Sequence, residues 1–159
     1  MDLEQQLQEL IQQAPQDGTT PAVVAAIAPV LKALAQRLRH DQYYIVQTID
    51  QSWAVTTLSS QEQPEVEKTV IYAFPSLKDV SAGPYPMQDP RMIAIPIPVT
   101  HILFQMLAME GIYSTIFFET PGNQAIGTEI QRQEINHLIE MHLQQLQTAP
   151  GSTVPPDIA

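Results

Sequence analysis

Few residues of this chain could do chemistry, and His101 has the most informative position. It follows a predicted strand, Met92–Ile97, and lies in the first turn of a predicted helix, His101–Met109. Backbone N–H groups in a first turn lack partners within the helix, and the helix dipole is positive there. An imidazole would add a titratable charge. This combination predicts a site for an anionic small molecule.

Three residues near the C-terminus have spacings that resemble metal motifs. Glu134 and His137 are three residues apart, as in di-iron bundles, but those sites need a second such pair and further carboxylates. His137 and His142 are separated by five positions, so they lie about 140° apart around a helix. The spacing favours a solvent-facing polar helix, and no metal or cofactor is expected.

Motifs that carry known reactions are missing from the sequence. There is no cysteine, which excludes disulfides, thiol nucleophiles and cysteine-ligated metals. There is also no GxSxG, GxGxxG or GxxxxGK[ST] pattern. We therefore assign no catalytic residue and expect a protein that is not an enzyme.

Composition and charge restrict the partners and the compartment. The chain has 159 residues and a net charge of −10, with 17 acidic and 7 basic residues, so a nucleic-acid backbone would be repelled. No apolar run is long enough to span a bilayer. The first residues show neither the basic nor the apolar part of a signal peptide. Cytoplasmic location and no nucleic-acid or membrane partner are expected.

The elements predict a single α/β domain over residues 1–148, followed by a flexible, proline-rich tail over 149–159. Two helices come first, and Pro29 should kink or split the second. Tyr43–Ile49 and Trp53–Leu58 then predict a β-hairpin. From Thr69 onward, strands alternate with helices, which favours βαβ units in a mixed sheet. A C-terminal amphipathic helix, preceded by a capping box at Thr128, completes the domain.

The strands predicted at 69–74, 92–97 and 113–118 place several polar residues at one edge if they are parallel. Open α/β sheets bind ligands at such an edge. The alternative is that Ser76, Thr100 and Thr128 are helix caps and His101 is a partly exposed first-turn residue. The predicted ligand-binding residues are Ser76, Lys78, Thr100, His101, Gly122 and Asn123, together with Thr120.

Two other surfaces predict contact with proteins. The loop Gly83–Arg91 is stiffened by prolines and carries Tyr85, Met87 and Arg91, residue types that suit a partner contact or a plain connector. The amphipathic helices Asp2–Ala14 and Ile130–Gln147 each have an apolar stripe. If one stripe is not needed to cover the sheet, a homodimer is possible.

The order of features from Thr69 onward resembles the SseB-like domain. The similar features are the strand and short helix VIYAFPSLKDVSA, the pair Leu103-Phe104, and a strand ending in Pro121-Gly122 before a last helix. The resemblance covers about half the chain, and it departs at Thr120, where the family commonly has asparagine. The glutamine- and proline-rich style also resembles uncharacterised conserved cyanobacterial proteins. The resemblance implies a non-catalytic accessory protein and no catalytic residues.

We therefore expect a non-enzymatic protein-interaction or assembly factor with a protein partner. The alternative is a regulatory protein that binds a small molecule or anion at the strand-end edge near His101.

Overall fold

The computed structural model describes residues 2–59 and 67–148, so the predicted tail 149–159 and most of the predicted loop Ser59–Glu67 lie outside it. Helices and strands alternate along this part of the chain as the sequence predicts, and the α/β class is confirmed. The helices are α1 Leu3–Gln13, α2 Thr20–Ala35, α3 Leu77–Ser81, α4 Val99–Ala108 and α5 Arg132–Thr148. The strands are β1 Gln42–Thr48, β2 Thr56–Ser59, β3 Glu67–Phe74, β4 Met92–Pro98, β5 Ser114–Phe118 and β6 Gly127–Gln131.

The strands form one mixed sheet in the order β4-β1-β3-β5-β6, with β2 paired to β3. β3 and β5 are parallel neighbours, whereas β1 is antiparallel to both β3 and β4. It follows that β3, β4 and β5 run in the same direction, as the sequence analysis supposed. β4 is the edge strand of this order, which suits its prolines, Pro96 and Pro98, because proline cannot donate a ladder hydrogen bond.

The predicted hairpin between Tyr43–Ile49 and Trp53–Leu58 is wrong. After the turn at Asp50, the chain returns to β1 only for a bridge between Gln47 and Trp53. β2 then pairs with β3. The physical reason is competition for β1, because β4 pairs with it from Gln42 to Thr48 and β3 takes part of its other edge.

Two helix starts also differ from the prediction. The capping box at Thr128 is wrong, because Gly127–Gln131 is strand β6, paired antiparallel with β5, and α5 begins at Arg132. Gly127 suits this pairing, since a Cβ there would lie 2.8 Å from the side chain of Ile116. Thr100 is not a cap either. α4 begins at Val99, and Thr100 is a buried residue of its first turn.

Helix α2 runs through Pro29 as one element, so Pro29 does not split the helix, and the alternative of a kink stays a prediction. Pro29 is exposed, and its ring lies on the outside of the helical layer. The helix starts after Thr19, but Thr19 makes no side-chain cap. The Asp17 carboxylate accepts hydrogen bonds from the N–H groups of Thr19 and Thr20 instead, at 2.9 and 2.7 Å.

The two faces of the sheet are covered very differently. On the first, which we call the helical face, α1, α2, α4 and α5 bury a large apolar cluster that includes Leu31, Phe117 and Ile135. On the second, which we call the loop-covered face, a small cluster around Phe74 and Phe118 is covered by α3 and the segment that carries Tyr85 and Met87.

Candidate functional site

The strand-end edge contains the predicted ligand-binding residues, but they form separate groups. Ser76 caps α3, and its Oγ accepts a hydrogen bond from the Asp79 N–H at 3.2 Å and donates one to Asp79 Oδ2 at 2.6 Å. Asp79 Oδ1 accepts from the Gly122 N–H at 2.7 Å. Asp79 is buried, and together these bonds join the end of β3 to the turn after β5. The structure thus brings Ser76 and Gly122 together through Asp79.

Thr100 and His101 form a second group, around Gln6 of α1. Gln6 Oε1 accepts hydrogen bonds from Thr100 N at 3.1 Å and Thr100 Oγ1 at 2.7 Å, and Gln6 Nε2 donates to the Asp41 carbonyl at 2.7 Å. The Val99 N–H also donates to the Asp41 carbonyl. Two amides in the first turn of α4 therefore already have partners within the chain.

The other predicted ligand-binding residues join neither group through a side chain. Lys78 is exposed on α3. The Asn123 side chain accepts from the Ala125 N–H at 2.9 Å, which is a local turn interaction. The side chains of these two residues therefore do not join His101 in one ligand-binding site.

A network that the sequence analysis did not identify lies between the two groups. Tyr43 is buried, and its hydroxyl donates to Glu119 Oε1, while Glu119 Oε2 accepts from the Arg39 N–H at 3.0 Å. His40 Nε2 donates to the Glu119 carbonyl at 2.7 Å. Burial and the Glu119 carboxylate raise the pKa of Tyr43, so the phenol keeps its proton. Two features of the sequence point to this network. Glu119 lies at the end of a predicted strand, and the segment that follows α2 is basic.

Arg37, Arg39 and His40 form a basic cluster in the sequence, and Arg39 and His40 belong to this network. The cluster lies beyond the end of α2 at Ala35, so its cations do not occupy the last turn of the helix. Arg37 pairs with Glu134 of α5 at 2.8 Å, and the Arg39 guanidinium donates to Thr120 Oγ1 at 3.3 Å. The cluster connects elements of the domain to one another.

The predicted partner loop, Gly83–Arg91, lies against the loop-covered face. Tyr85 is half-buried, and its hydroxyl is 2.6 Å from Thr56 Oγ1, with its ring beside that of Tyr72. Met87 packs on the same cluster. Arg91 is exposed and pairs with Asp89 at 3.0 Å. Tyr85 and Met87 hold the loop on the sheet, and a partner role for them stays a prediction.

Helix α2 presents an apolar surface outward as well as inward. Of its sixteen residues, TPAVVAAIAPVLKALA, Lys32 alone is charged. A helix that is apolar all round is normally buried on all sides. The exposed residues of α2 are nevertheless apolar: Ala22, Val23, Ala25, Pro29 and Ala33. This surface is a candidate interface.

A groove of about 300 Å³ separates α2 from α5 beside this surface. The Arg37–Glu134 ion pair adjoins it, and Met141 in its wall is 45% exposed, which is high for a large apolar side chain. Its other apolar wall residues come from both helices. The lining residues are Pro29, Val30, Ala33, Leu34, Arg37, Leu138, Met141, His142 and Gln145.

Comparison with known proteins gives no relative from which a role could be transferred. No family model, curated protein or solved structure matches the chain. The resemblance to the SseB-like domain stays a prediction. Within residues 2–59 and 67–148, no cluster of three or more histidine, aspartate or glutamate side chains could hold a metal ion. No helix of that part of the chain is both long and apolar enough to cross a membrane.

Proposed function

We propose that this protein is a non-enzymatic, cytosolic accessory factor that binds a partner protein through the groove between α2 and α5. The observation that carries the proposal is the outward apolar surface of α2 beside that groove. Contiguous apolar surface of this kind is typical of protein interfaces. A groove between two helices suits an amphipathic helix that lays its apolar stripe along it.

The partner segment we propose is an amphipathic helix with basic residues beside its apolar stripe. The net charge of −10 attracts a basic partner and repels a second copy of the same acidic chain. The carboxylate of Glu140 is beside Met141 in the chain and is exposed. Binding of a second copy at this surface is therefore less favourable than binding of a basic partner.

The stripes of α1 and α5, which suggested a homodimer, are largely used within the chain. Leu7 and Leu10 of α1 and Ile135 of α5 are all buried in the helical-face cluster. Only the outer part of the α5 stripe, with Met141 and Leu146, is exposed within the described residues. Homodimer formation stays a prediction, and it would have to use this outer part or α2.

The alternative function, anion binding near His101, has less support from the geometry. The amides of Val99 and Thr100 that would face an anion are bonded to Asp41 and Gln6. His101 Nε2 is bonded to the Gln6 carbonyl at 3.0 Å. An anion would have to displace Gln6, a buried residue, so we favour the interaction function.

The test uses an 18-residue helical peptide with a leucine stripe and lysines on its other face, with a glutamate version for comparison. We expect the lysine peptide to bind and to shift amide NMR signals of α2 and α5. Ala33→Glu and Met141→Glu should each weaken binding at least tenfold. Ile126→Glu, which alters a residue that is 69% exposed and outside the groove, is the matched control.

The charge change makes this test discriminating. Both groove variants make the protein more acidic, so a purely electrostatic contact with the lysine peptide would strengthen or stay the same. Loss of binding in the groove variants, with binding kept in Ile126→Glu, supports the proposal. Equal binding by all variants, or amide shifts confined to other surfaces, would overturn it. Sedimentation of the free protein as a dimer that both groove variants dissociate would instead assign the surface to a second copy.

A further inference from the structure

We propose a second site: a crevice on the helical-face side of β4 that binds an uncharged, planar heteroaromatic ring against Trp53. The crevice has a volume of about 300 Å³, which lies at the lower end of the range for small-molecule sites. It forms where the end of α1 meets Trp53, the end of β4 and the first turns of α4. This site is independent of the α2–α5 groove.

The walls of the crevice suit an aromatic ring. Trp53, the one tryptophan of the chain, and Phe104 both line it and are half-buried, and Ile97 adds an aliphatic wall. Aromatic side chains bind a planar ring by offset stacking or edge contact. Gln13, Thr20 and Gln105 also line the crevice and can exchange hydrogen bonds with the edge of such a ring.

The chemistry of His101 selects among such rings. Its Nε2 lies 3.0 Å from the Gln6 carbonyl, which can only accept, so Nε2 carries the proton. In the neutral imidazole Nδ1 is then an acceptor, and it matches a ring that has an N–H donor. The residues that line the crevice include no carboxylate, lysine or arginine, which favours an uncharged ligand.

The backbone around Trp53 is strained. Gln51 has a φ of 69°, the one positive value among the non-glycine residues that the structure describes. The turn is held by the Thr48 N–H, which donates to the Ser52 carbonyl at 2.8 Å, and by the Ala54 N–H, which donates to the Val46 carbonyl at 2.8 Å. Strain of this kind is often found at ligand sites, because it costs stability and is kept where it positions a side chain. Here the strained residue lies two positions before Trp53, whose side chain lines the crevice.

Because Trp53 is the one tryptophan, its fluorescence reports directly on this site. Adenine and benzimidazole serve as probes, since both are planar heteroaromatic rings with an N–H donor, and cyclohexanol is the non-aromatic comparison. We expect saturable quenching by adenine or benzimidazole and none by cyclohexanol. Ala14→Phe, which fills the crevice from its wall, should weaken probe binding at least tenfold. Ala125→Phe, at an exposed position elsewhere, should leave it unchanged.

Amide NMR of the unsubstituted protein gives a second measurement that does not depend on the folding of a variant. Shifts at the Trp53 indole N–H and in the first turns of α4 on adding adenine support the site. Three results would each overturn it: no saturable quenching by either aromatic probe, equal affinity in Ala14→Phe and Ala125→Phe, or amide shifts that avoid Trp53.

Discussion

The two faces of the sheet bury their strand side chains under covers of very different size. Four helices cover the helical face, and its cluster contains fully buried residues from both helices and strands, such as Leu31, Ile102 and Phe117. The loop-covered face has a small cluster of four buried residues, three from the strands and Val80 from the short helix, with a proline-rich segment packed on it. The helical face therefore supplies most of the apolar burial that stabilises the domain.

The difference also separates the candidate functions. The helices of the helical face pack on the sheet through the large buried cluster, so their outer surface can present the α2–α5 groove. The loop-covered face is held by fewer contacts, with Tyr85 and Met87 as its main anchors. A partner that bound there would have to bind the loop as it lies on the sheet, because removing these two side chains would also loosen the loop.

Adjacent phenylalanines on β5 give the largest expected effect. Phe117 points into the helical face and Phe118 into the loop-covered face. Phe117→Ala should lower the free energy of unfolding by ~3–5 kcal/mol, because the helices around it cannot close the cavity. Phe118→Ala should cost only about 2 kcal/mol, since a loop can collapse more readily than a packed helix. Urea unfolding measures both, and equal losses would contradict the contrast between the faces.

Sequence patterns identified the elements better than their neighbours in the sheet. The α/β class, the direction of β3, β4 and β5, and the cap at Ser76 follow from local periodicity and turn chemistry. The hairpin prediction failed because nothing local shows that β4, some fifty positions later in the chain, pairs with all of β1. The capping box predicted at Thr128 is wrong because the same residues also suit an edge strand, and only their pairing with β5 shows which structure forms.

The same limit applies to the candidate sites. His101 and Gly122 were placed at the strand-end edge correctly, but Gln6 and Asp79, which occupy the polar groups there, belong to other elements. A buried glutamine in a glutamine-rich helix has no distinguishing local signal. The sequence of α2 shows apolar residues around the whole helix, but it does not show which of them the rest of the domain buries and which stay exposed.

Gln6 on the helical face provides the next largest effect. Gln6→Leu should lower the free energy of unfolding by ~2–3 kcal/mol, because it leaves the Thr100 N–H and hydroxyl buried without their acceptor. Gln6→Glu keeps the acceptor for Thr100, but at neutral pH its carboxylate would place a second oxygen against the Asp41 carbonyl, so it should cost at least as much there and less at low pH, where a protonated Glu can donate to that carbonyl. Thermal unfolding compares the two. If Gln6→Leu is as stable as the unsubstituted protein, the bonds to Thr100 contribute little to folding.

Removing one tyrosine hydroxyl from each face should change the free energy of unfolding by a smaller amount. Tyr43→Phe should cost ~1–2 kcal/mol, because the Glu119 carboxylate loses a buried donor, and Tyr85→Phe about 1 kcal/mol or less, because its bond to Thr56 is partly solvated. The raised pKa of Tyr43 adds a test with pH. In the unfolded chain this phenol ionises near pH ~10. Its contribution to stability is therefore lost as pH rises above that value.

The measurement is urea unfolding at pH 8 and pH 10.5. The difference in stability between the unsubstituted protein and Tyr43→Phe should shrink at the higher pH. The difference for Tyr85→Phe should shrink less, since Tyr85 has no carboxylate beside its hydroxyl. A pH-independent difference for Tyr43 would show that Glu119 does not hold the phenol in its protonated form.

The smallest effects concern two surface aspartates, Asp17 just before α2, which is exposed, and Asp89 in the loop Gly83–Arg91, whose side chain is 25% exposed. Hydrogen bonds from Thr20 and Thr19 lower the pKa of Asp17 to about 2, whereas the Arg91 guanidinium is the main group that lowers the pKa of Asp89. In each case the folded pKa lies below the unfolded one. The stabilisation is therefore present above pH ~4 and is lost as pH falls through the folded value. Asp17→Asn and Asp89→Asn should each flatten the acid limb of an unfolding curve measured from pH 5 to pH 2.

Salt distinguishes the two causes. An exposed ion pair is screened at 1 M ionic strength, where the Debye length is about 3 Å, but hydrogen bonds to backbone N–H groups are much less affected. In 1 M sodium chloride, the difference between Asp89→Asn and the unsubstituted protein should shrink to the part due to the hydrogen bond from the Arg91 N–H at 2.9 Å, while that of Asp17→Asn should remain. The reverse result would mean that α2 is anchored by long-range charge and the loop by local hydrogen bonds. The contrast between a helical layer fixed by short-range contacts and a loop held in part by charge would then be wrong.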